Sequence, residues 1–359
     1  MLNFGAIPRH IPTHPTQNNF SLLRLIFASL VLVSHGVEMR DGDRSREALT
    51  WLFDTISFGE WAVSGFFLLS GFLIVQSWHR QPRLVPFLLK RAKRIAPGFF
   101  VASLLSVGIL GVVGGGERFF EELDWTAFLL SLFTLRPPVT PPVFEPAPYA
   151  IVNGSMWTIV YEAICYLLVA FLGVLGWLSP RKLIAFLFFG ACFQVFVIKT
   201  APNSWMPQAL QTLDDANLLR LVLTFFVGAF FFLWREKIVI SHRRAVAASL
   251  VLLGAFWSGS TTLVWLAITT AGAYLLFWLA SLQFSWLVSP RHWPDFSYGI
   301  YLYGWPVQKI TLWLFPGVSP YALLPLQLLL SVICGALSWY AIERPVLEGR
   351  FRAMAPNPT

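Results

Sequence analysis

The sequence predicts an all-α integral membrane protein with about ten transmembrane helices and no separate soluble domain. Three observations carry that reading. Of 359 residues, 56% are hydrophobic and only 12% charged, against the roughly one quarter charged in a typical soluble domain. The apolar residues fall in long continuous runs, each near the ~20 residues a helix needs to cross a bilayer, rather than in the short alternating strands of a barrel. The Lys and Arg residues gather between the runs, as in QPRLVPFLLKRAKR, WREKIVISHRR and ERPVLEGRFR, which is the distribution of cytoplasmic loops.

Taken in order, the spans are expected at 19–38, 60–78, 96–114, 155–176, 182–199, 218–234, 244–258, 262–281, 297–315 and 321–342. The polar, proline-containing start lacks the charged-then-apolar build of a cleaved signal, so the first span is expected to stay in the protein. The seventh and eighth spans are divided by SGST, a cluster of turn formers. The apolar piece around 125–135 is too short to span and is placed as an interfacial or re-entrant segment. It belongs to the longest external connection, 115–154, where RPPVTPPVFEPAP favours extended chain over helix. The loop 79–95 carries Arg80, Arg83, Lys90, Arg91, Lys93 and Arg94 and is assigned to the cytoplasm. Both termini then face the cytoplasm, as do Arg181 and Lys182, the 235–244 loop and Arg291. The segment 39–59 holds Arg40, Arg44 and Arg46, but Glu38, Asp41, Asp43 and Glu47 balance them. Residues 1–18 and 348–359 read as tails, with one transmembrane domain over 19–347.

The net charge of +8 and pI near 9.6 follow from these cytoplasmic loops, and nucleic acid is not expected as a partner. Cys165, Cys192 and Cys334 lie in apolar segments at unrelated spacings and read as small hydrophobic residues, not as disulfides or metal ligands. No metal is expected.

Ionisable residues inside a membrane are costly and mark functional sites by default. His35 is the one histidine expected within a span; His10, His14, His79, His242 and His292 fall in tails or basic loops. Arg24 precedes it on the same helix by roughly 16 Å of axial rise, so the two are not hydrogen-bond partners. Glu162, about 10 Å in from the outer end of the fourth span, is at a depth compatible with His35. A carboxylate beside an imidazole fixes its tautomer and raises its basicity. The pair is therefore a candidate base with its orienting acid, facing outward. Arg91 and Arg94 share a helix face at spacing i,i+3 and suit phosphate, although the run by itself is more simply read as topology alone. Tyr298, Tyr301 and Tyr303 in FSYGIYLYGWPVQK read as an interfacial aromatic belt, and Lys309, in the outer half of the same span, is expected either to snorkel outward or to face a polar cavity. The glycines of GEWAVSGFFLLSGFLI serve close helix packing, and neither Ser64 nor Ser70 has the partners of a nucleophile.

From about residue 18 to 347 the chain resembles the acyltransferase-3 family of bacterial membrane O-acyltransferases. The motifs stand in family order. They are Arg24 and His35 in NNFSLLRLIFASLVLVSH, WAVSGFFLLSGFLI, the basic FLLKRAKRIAP, NGSMWTIVYEAICY with Trp157 and Glu162, FSYGIYLYGWPVQ, and AIERPV. Two positions depart from the pattern. Thr158 stands where a serine is usual, and Gly304 stands where many members carry a histidine. The resemblance implies transfer of an acyl group, usually acetyl from cytoplasmic acetyl-CoA, to a sugar hydroxyl of an exported or envelope polysaccharide or glycolipid, in the bacterial inner membrane.

On this basis His35 is expected to take the acceptor proton and Glu162 to orient it, with an acyl-histidine as an open alternative to direct transfer. Arg24, Arg91 and Arg94 are assigned to the acyl-CoA donor, and Trp157, Tyr301 and Lys309 to the substrate. The rival readings are a transporter or flippase that uses His35 and Glu162 as a proton relay, and a structural partner of a polysaccharide synthase. The absence of a visible internal repeat counts against the transporter.

Overall fold

A computed structural model describes residues 10–14, 18–200, 215–282 and 294–349. The expected C-terminal tail lies almost wholly outside the described residues, as do Arg291, His292 and most of the N-terminal tail. The chain forms helices α1 (Phe20–Asp41), α2 (Ala48–Phe53), α3 (Phe58–Arg80), α4 (Leu84–Gly114), α5 (Phe119–Glu122), α6 (Trp125–Phe133), α7 (Trp157–Val174), α8 (Pro180–Thr200), α9 (Asp215–Leu233) and α10 (His242–Trp257). They continue with α11 (Thr261–Ala267) and α12 (Ala273–Ser281), joined by a π-turn at Ile268–Gly272. The last are α13 (Ser297–Leu314), then α14 (Pro320–Ser338) and α15 (Arg344–Glu348), joined by a second π-turn at Trp339–Glu343. Among the described residues the ordered elements are helices.

Each expected span falls on a helix. Six of these, Phe20–Asp41, Phe58–Arg80, Leu84–Gly114, Gly154–Val174, Thr261–Ser281 and Pro320–Glu348, are both long and apolar enough to cross a membrane, and Asn217–Leu233 is a shorter apolar helix. The protein is an all-α, multi-pass membrane protein. Local chemistry sets several boundaries. The SGST break is real: Gly259 takes φ +67°, where glycine has no steric penalty, and Ser260 caps α11 by accepting from the Leu263 amide. Asp124 caps the short apolar α6 in the same way through the Ala127 amide. One boundary differs from expectation. The basic stretch Lys90–Arg94 is not a loop but the early turns of α4, which begins at Leu84. Lys and Arg are good helix formers, so a charge pattern marks the membrane face without ending the helix.

Two compact units make up the chain. The first comprises Met1–Leu23, Val63–Leu88 and Tyr161–His292. Its core is aromatic: Phe72, Phe225, Phe226 and Phe277 are fully buried. A side chain on Gly71 would meet the Phe225 carbonyl at 1.8 Å, and one on Gly228 would meet that of Leu68 at 1.9 Å. So α3 and α9 touch backbone to backbone, the small-residue packing of membrane helices.

The second unit comprises Arg24–Ala62, Leu89–Val160 and Trp293–Thr359. Here α13 and α14 approach at Gly299 and Gly335, where an added Cβ on the first would lie 2.6 Å from the Cα of the second. Beside them α13 meets α1. Gln308 donates to the Leu32 carbonyl at 2.7 Å and to Gln327 at 3.0 Å, and Gln327 donates to Thr311 at 3.0 Å. This buried polar ladder fixes the register of three helices.

Candidate functional site

His35 lies late on α1, and Glu38 follows at i,i+3, so both point to one face. His35 Nδ1 and Glu38 Oε2 are 3.1 Å apart, with both side chains nearly buried. The other carboxylate oxygen of Glu38 accepts from Arg44 at 3.1 Å. Arg44 also donates to Ser57 at 3.2 Å and lies 3.7 Å from Glu60. Burial alone would lower the Arg44 pKa, but the Glu38 carboxylate outweighs it and raises it. A neutral imidazole that donates from Nδ1 to a carboxylate keeps its lone pair on Nε2. No hydrogen bond to that nitrogen is found among the described residues.

Trp305 meets the imidazole edge to face, with centroids 4.9 Å apart. Its own indole N–H donates to the Ile151 carbonyl at 3.3 Å. Two residues earlier in that loop, the Tyr149 hydroxyl is near enough to Glu38 to feel its charge. Burial, then the Glu38 charge, raise the Tyr149 pKa. Lys309 is buried and donates to the Pro148 carbonyl at 3.1 Å and to the Tyr149 carbonyl. Gly304 stands against α1, where an added Cβ would lie 2.6 Å from Leu32 Cδ1. In this chain the position of the family histidine is taken by helix packing.

Tyr301 works as a fastener. Its hydroxyl donates to the Ser155 carbonyl at 2.5 Å and lies 2.7 Å from Thr158 Oγ1, while Ser155 donates back to the Tyr301 carbonyl at 3.0 Å. Asn153 donates to the Leu302 carbonyl at 2.9 Å. These bonds lock α13 to the start of α7, where Trp157 is the first, half-buried residue. Glu162, in the first unit, accepts from Ser70 at 2.9 Å and from Tyr166 at 2.6 Å, both at Oε1. The acid expected to orient His35 was Glu162; the acid that bonds it is Glu38.

The expected donor arginines converge in part. Near the start of α1, Arg24 lies 2.8 Å from Asp295, and Arg94 on α4 lies 2.7 Å from the same oxygen. Arg94 also meets Glu343 at 3.3 Å and the rings of Tyr298 and Trp339 at 5.7 and 5.6 Å. Burial would raise the Asp295 pKa, but Arg24 and Arg94 together hold it down to about 2. Arg91, one turn earlier on α4, is half-buried.

Glu38, Asp295 and Glu343 escaped the sequence reading, and each had a signal: spacing from His35, an acid just ahead of an expected span, and the acid inside AIERPV. Among the described residues no group of three His, Cys, Asp or Glu side chains could hold a metal ion.

The comparisons with known proteins agree with one another. A family model described as an acyltransferase domain matches residues 17–344. The chain is 27% identical over 345 residues to the O-acetyl transferase of Shigella phage Sf6, covering 92% of this chain and 96% of that one. It is 29% identical over 383 residues to nodulation protein 10 of Rhizobium leguminosarum bv. viciae, covering 98% of each. No solved structure matches. With the family match running through the Arg24–His35 helix, Trp157, Glu162 and the Tyr301 segment, the chain belongs to the acyltransferase-3 family and is a membrane-embedded acyltransferase.

Proposed function

We propose that the protein moves an acyl group, most simply acetyl, from cytoplasmic acyl-CoA to a hydroxyl of an exported or envelope polysaccharide or glycolipid. The setting is the bacterial inner membrane, with both termini cytoplasmic. The observation that carries this reading is the His35–Glu38 bond, which leaves Nε2 of a nearly buried imidazole as the acceptor of a proton. The relative named O-acetyl transferase supports an oxygen acceptor and an acetyl group.

In the proposed step His35 Nε2 removes the proton of the acceptor hydroxyl as its oxygen attacks the acyl carbonyl carbon. The carbon–sulfur bond to CoA breaks, the imidazolium returns the proton to the leaving thiolate, and an ester and free CoA result. Glu38 holds the imidazole in the required tautomer and offsets its developing charge, the role first given to Glu162. Glu162 keeps a catalytic assignment through its motif, as a carboxylate held by Ser70 and Tyr166. Arg24, Arg91 and Arg94 hold donor phosphates, and Trp157 shapes the acceptor cavity. Tyr301 maintains that cavity by locking α13 to α7.

The test is CoA release by the purified protein with acetyl-CoA and a base-de-O-acetylated envelope glycan. Release should require the glycan and disappear in His35→Ala. Glycan-independent release, or parental transfer by His35→Ala, overturns the reading.

A further inference from the structure

Tyr149, separated from His35 by the Trp305 ring, is held in a costly conformation. Its φ is +55°, a left-handed geometry that residues with a Cβ avoid and that persists only where surroundings impose it. The surroundings are three bonds from α13. Lys309 donates to the carbonyls of Pro148 and Tyr149, and Trp305 donates to that of Ile151. Lys309 is only 4% exposed, and its described bonds go to backbone carbonyls rather than to a carboxylate. A buried ammonium used this way is expensive, and what it secures is the shape of this loop.

The loop so held leaves Tyr149 38% exposed. Its ring stands 6.3 Å from Trp305 at 83°, and its hydroxyl feels the Glu38 charge. Trp305 in turn touches His35. The exposed ring is that of Tyr149, and the buried Trp305, 3% exposed, links it to the imidazole. A sugar ring suits such a site: its C–H face packs on an aromatic ring, and its hydroxyls bond carboxylate and guanidinium. The carboxylates of Glu38 and Glu60 around Arg44 disfavour an anionic ligand, and the polar groups disfavour an acyl chain.

We propose that Tyr149 is the stacking platform for the acceptor sugar, placing one hydroxyl at His35 Nε2, and that Lys309 is the positioning residue that holds the platform in place. This rests on the acyl-transfer reading. It gives Lys309 a role in shaping the substrate site without contact to the substrate.

The experiment uses the full-length protein in nanodiscs, radiolabelled acetyl-CoA as donor and the base-de-O-acetylated glycan as acceptor. Tyr149→Ala should raise the acceptor KM about tenfold and leave the donor KM unchanged. Tyr149→Phe should keep the acceptor KM near the parental value, because the ring remains. Lys309→Met should move the acceptor KM as Tyr149→Ala does, and an unchanged donor KM shows that the variant is folded. An unchanged acceptor KM in Tyr149→Ala, with transfer abolished in His35→Ala, overturns the platform alone. An equal rise in acceptor KM for Tyr149→Phe and Tyr149→Ala also overturns it, since the hydroxyl and not the ring would then matter. Parental transfer by His35→Ala, or no glycan-dependent transfer by the parent, overturns the reading beneath it.

Discussion

Arg24 and His35, both on α1, are built into their surroundings in opposite ways. Around Arg24 the charges close on one another. Asp295 takes both Arg24 and Arg94 within 2.8 Å, Glu343 takes Arg94 again, and two rings flank that guanidinium. Two cations face two acids. Around His35 the chain of bonds stops short. Ser57 and Glu60 hold Arg44, Arg44 holds Glu38, and Glu38 holds Nδ1, after which Nε2 is left for something else. A closed network resists change, while an open one is prepared to accept a proton. The contrast also bears on the donor: a phosphate that binds Arg24 and Arg94 must compete with Asp295.

Removing the open end should cost the most. His35→Ala is expected to lower transfer about 10²–10⁴-fold, the range for loss of a general base, with expression and membrane insertion intact. Radiolabel transfer per milligram of inserted protein is the check, and a near-parental rate would erase the distinction between the two ends.

Next is Glu38→Gln. A hydrogen bond to a charged group contributes about 1.5–3 kcal/mol, so kcat should fall roughly tenfold to a hundredfold, with Glu38→Asp recovering part of it. Glu162→Gln, assayed beside it, separates the acid that bonds His35 from the acid of the motif.

At the closed end Arg24→Ala is expected to raise the donor constant about tenfold with the acceptor constant unchanged. Arg91→Lys sharpens the test, since a topological role tolerates lysine and bidentate phosphate recognition does not. Asp295→Asn should tighten donor binding, and added CoA should stabilise this variant more than the parent in a thermal unfolding assay. Equal shifts in both would mean that no phosphate competes with Asp295.

The smallest effect is with pH. The Asp295 carboxyl is held at about 2, below its ordinary 3.8. A depressed carboxyl contributes stability that is present above the ordinary value and is lost as pH falls through the depressed one. The Asp295 contribution should therefore be constant from pH 5 upward and weaken between about pH 4 and pH 2. Thermal unfolding of the parent should show that loss, and Asp295→Asn should lack it.

Much of the fold was legible because a bilayer imposes a length and a composition. The apolar runs marked the helices, and Gly259 between Ser258 and Ser260 marked the break between α10 and α11. The start of α4 was hidden because basic residues signal a membrane face as readily as a loop. The site was legible in its cations and its histidine, which stand out against apolar sequence. Its acids were not. Glu38 was absorbed into a charged segment, although its spacing from His35 places both on one face. Asp295 pairs with residues 271 and 201 positions away in the chain, a juxtaposition that only the packing of α1, α4 and α13 creates. Lys309 was visible as a misplaced charge, but its backbone partners leave no mark in side-chain chemistry.

The central claim is that His35 is the base, held by Glu38 and tempered by Arg44. The most direct test is the pH dependence of kcat/KM for acyl transfer in the parent, Glu38→Gln and Arg44→Gln. The groups facing the imidazole through this chain are Glu38, Arg44, Glu60 and Tyr149. A general base works deprotonated, so activity rises with pH along the acidic limb. An adjacent anion favours the protonated base and an adjacent cation opposes it. The limb should therefore move to lower pH in Glu38→Gln and to higher pH in Arg44→Gln. A limb that stays in place in both variants, or moves the same way in both, would contradict the account.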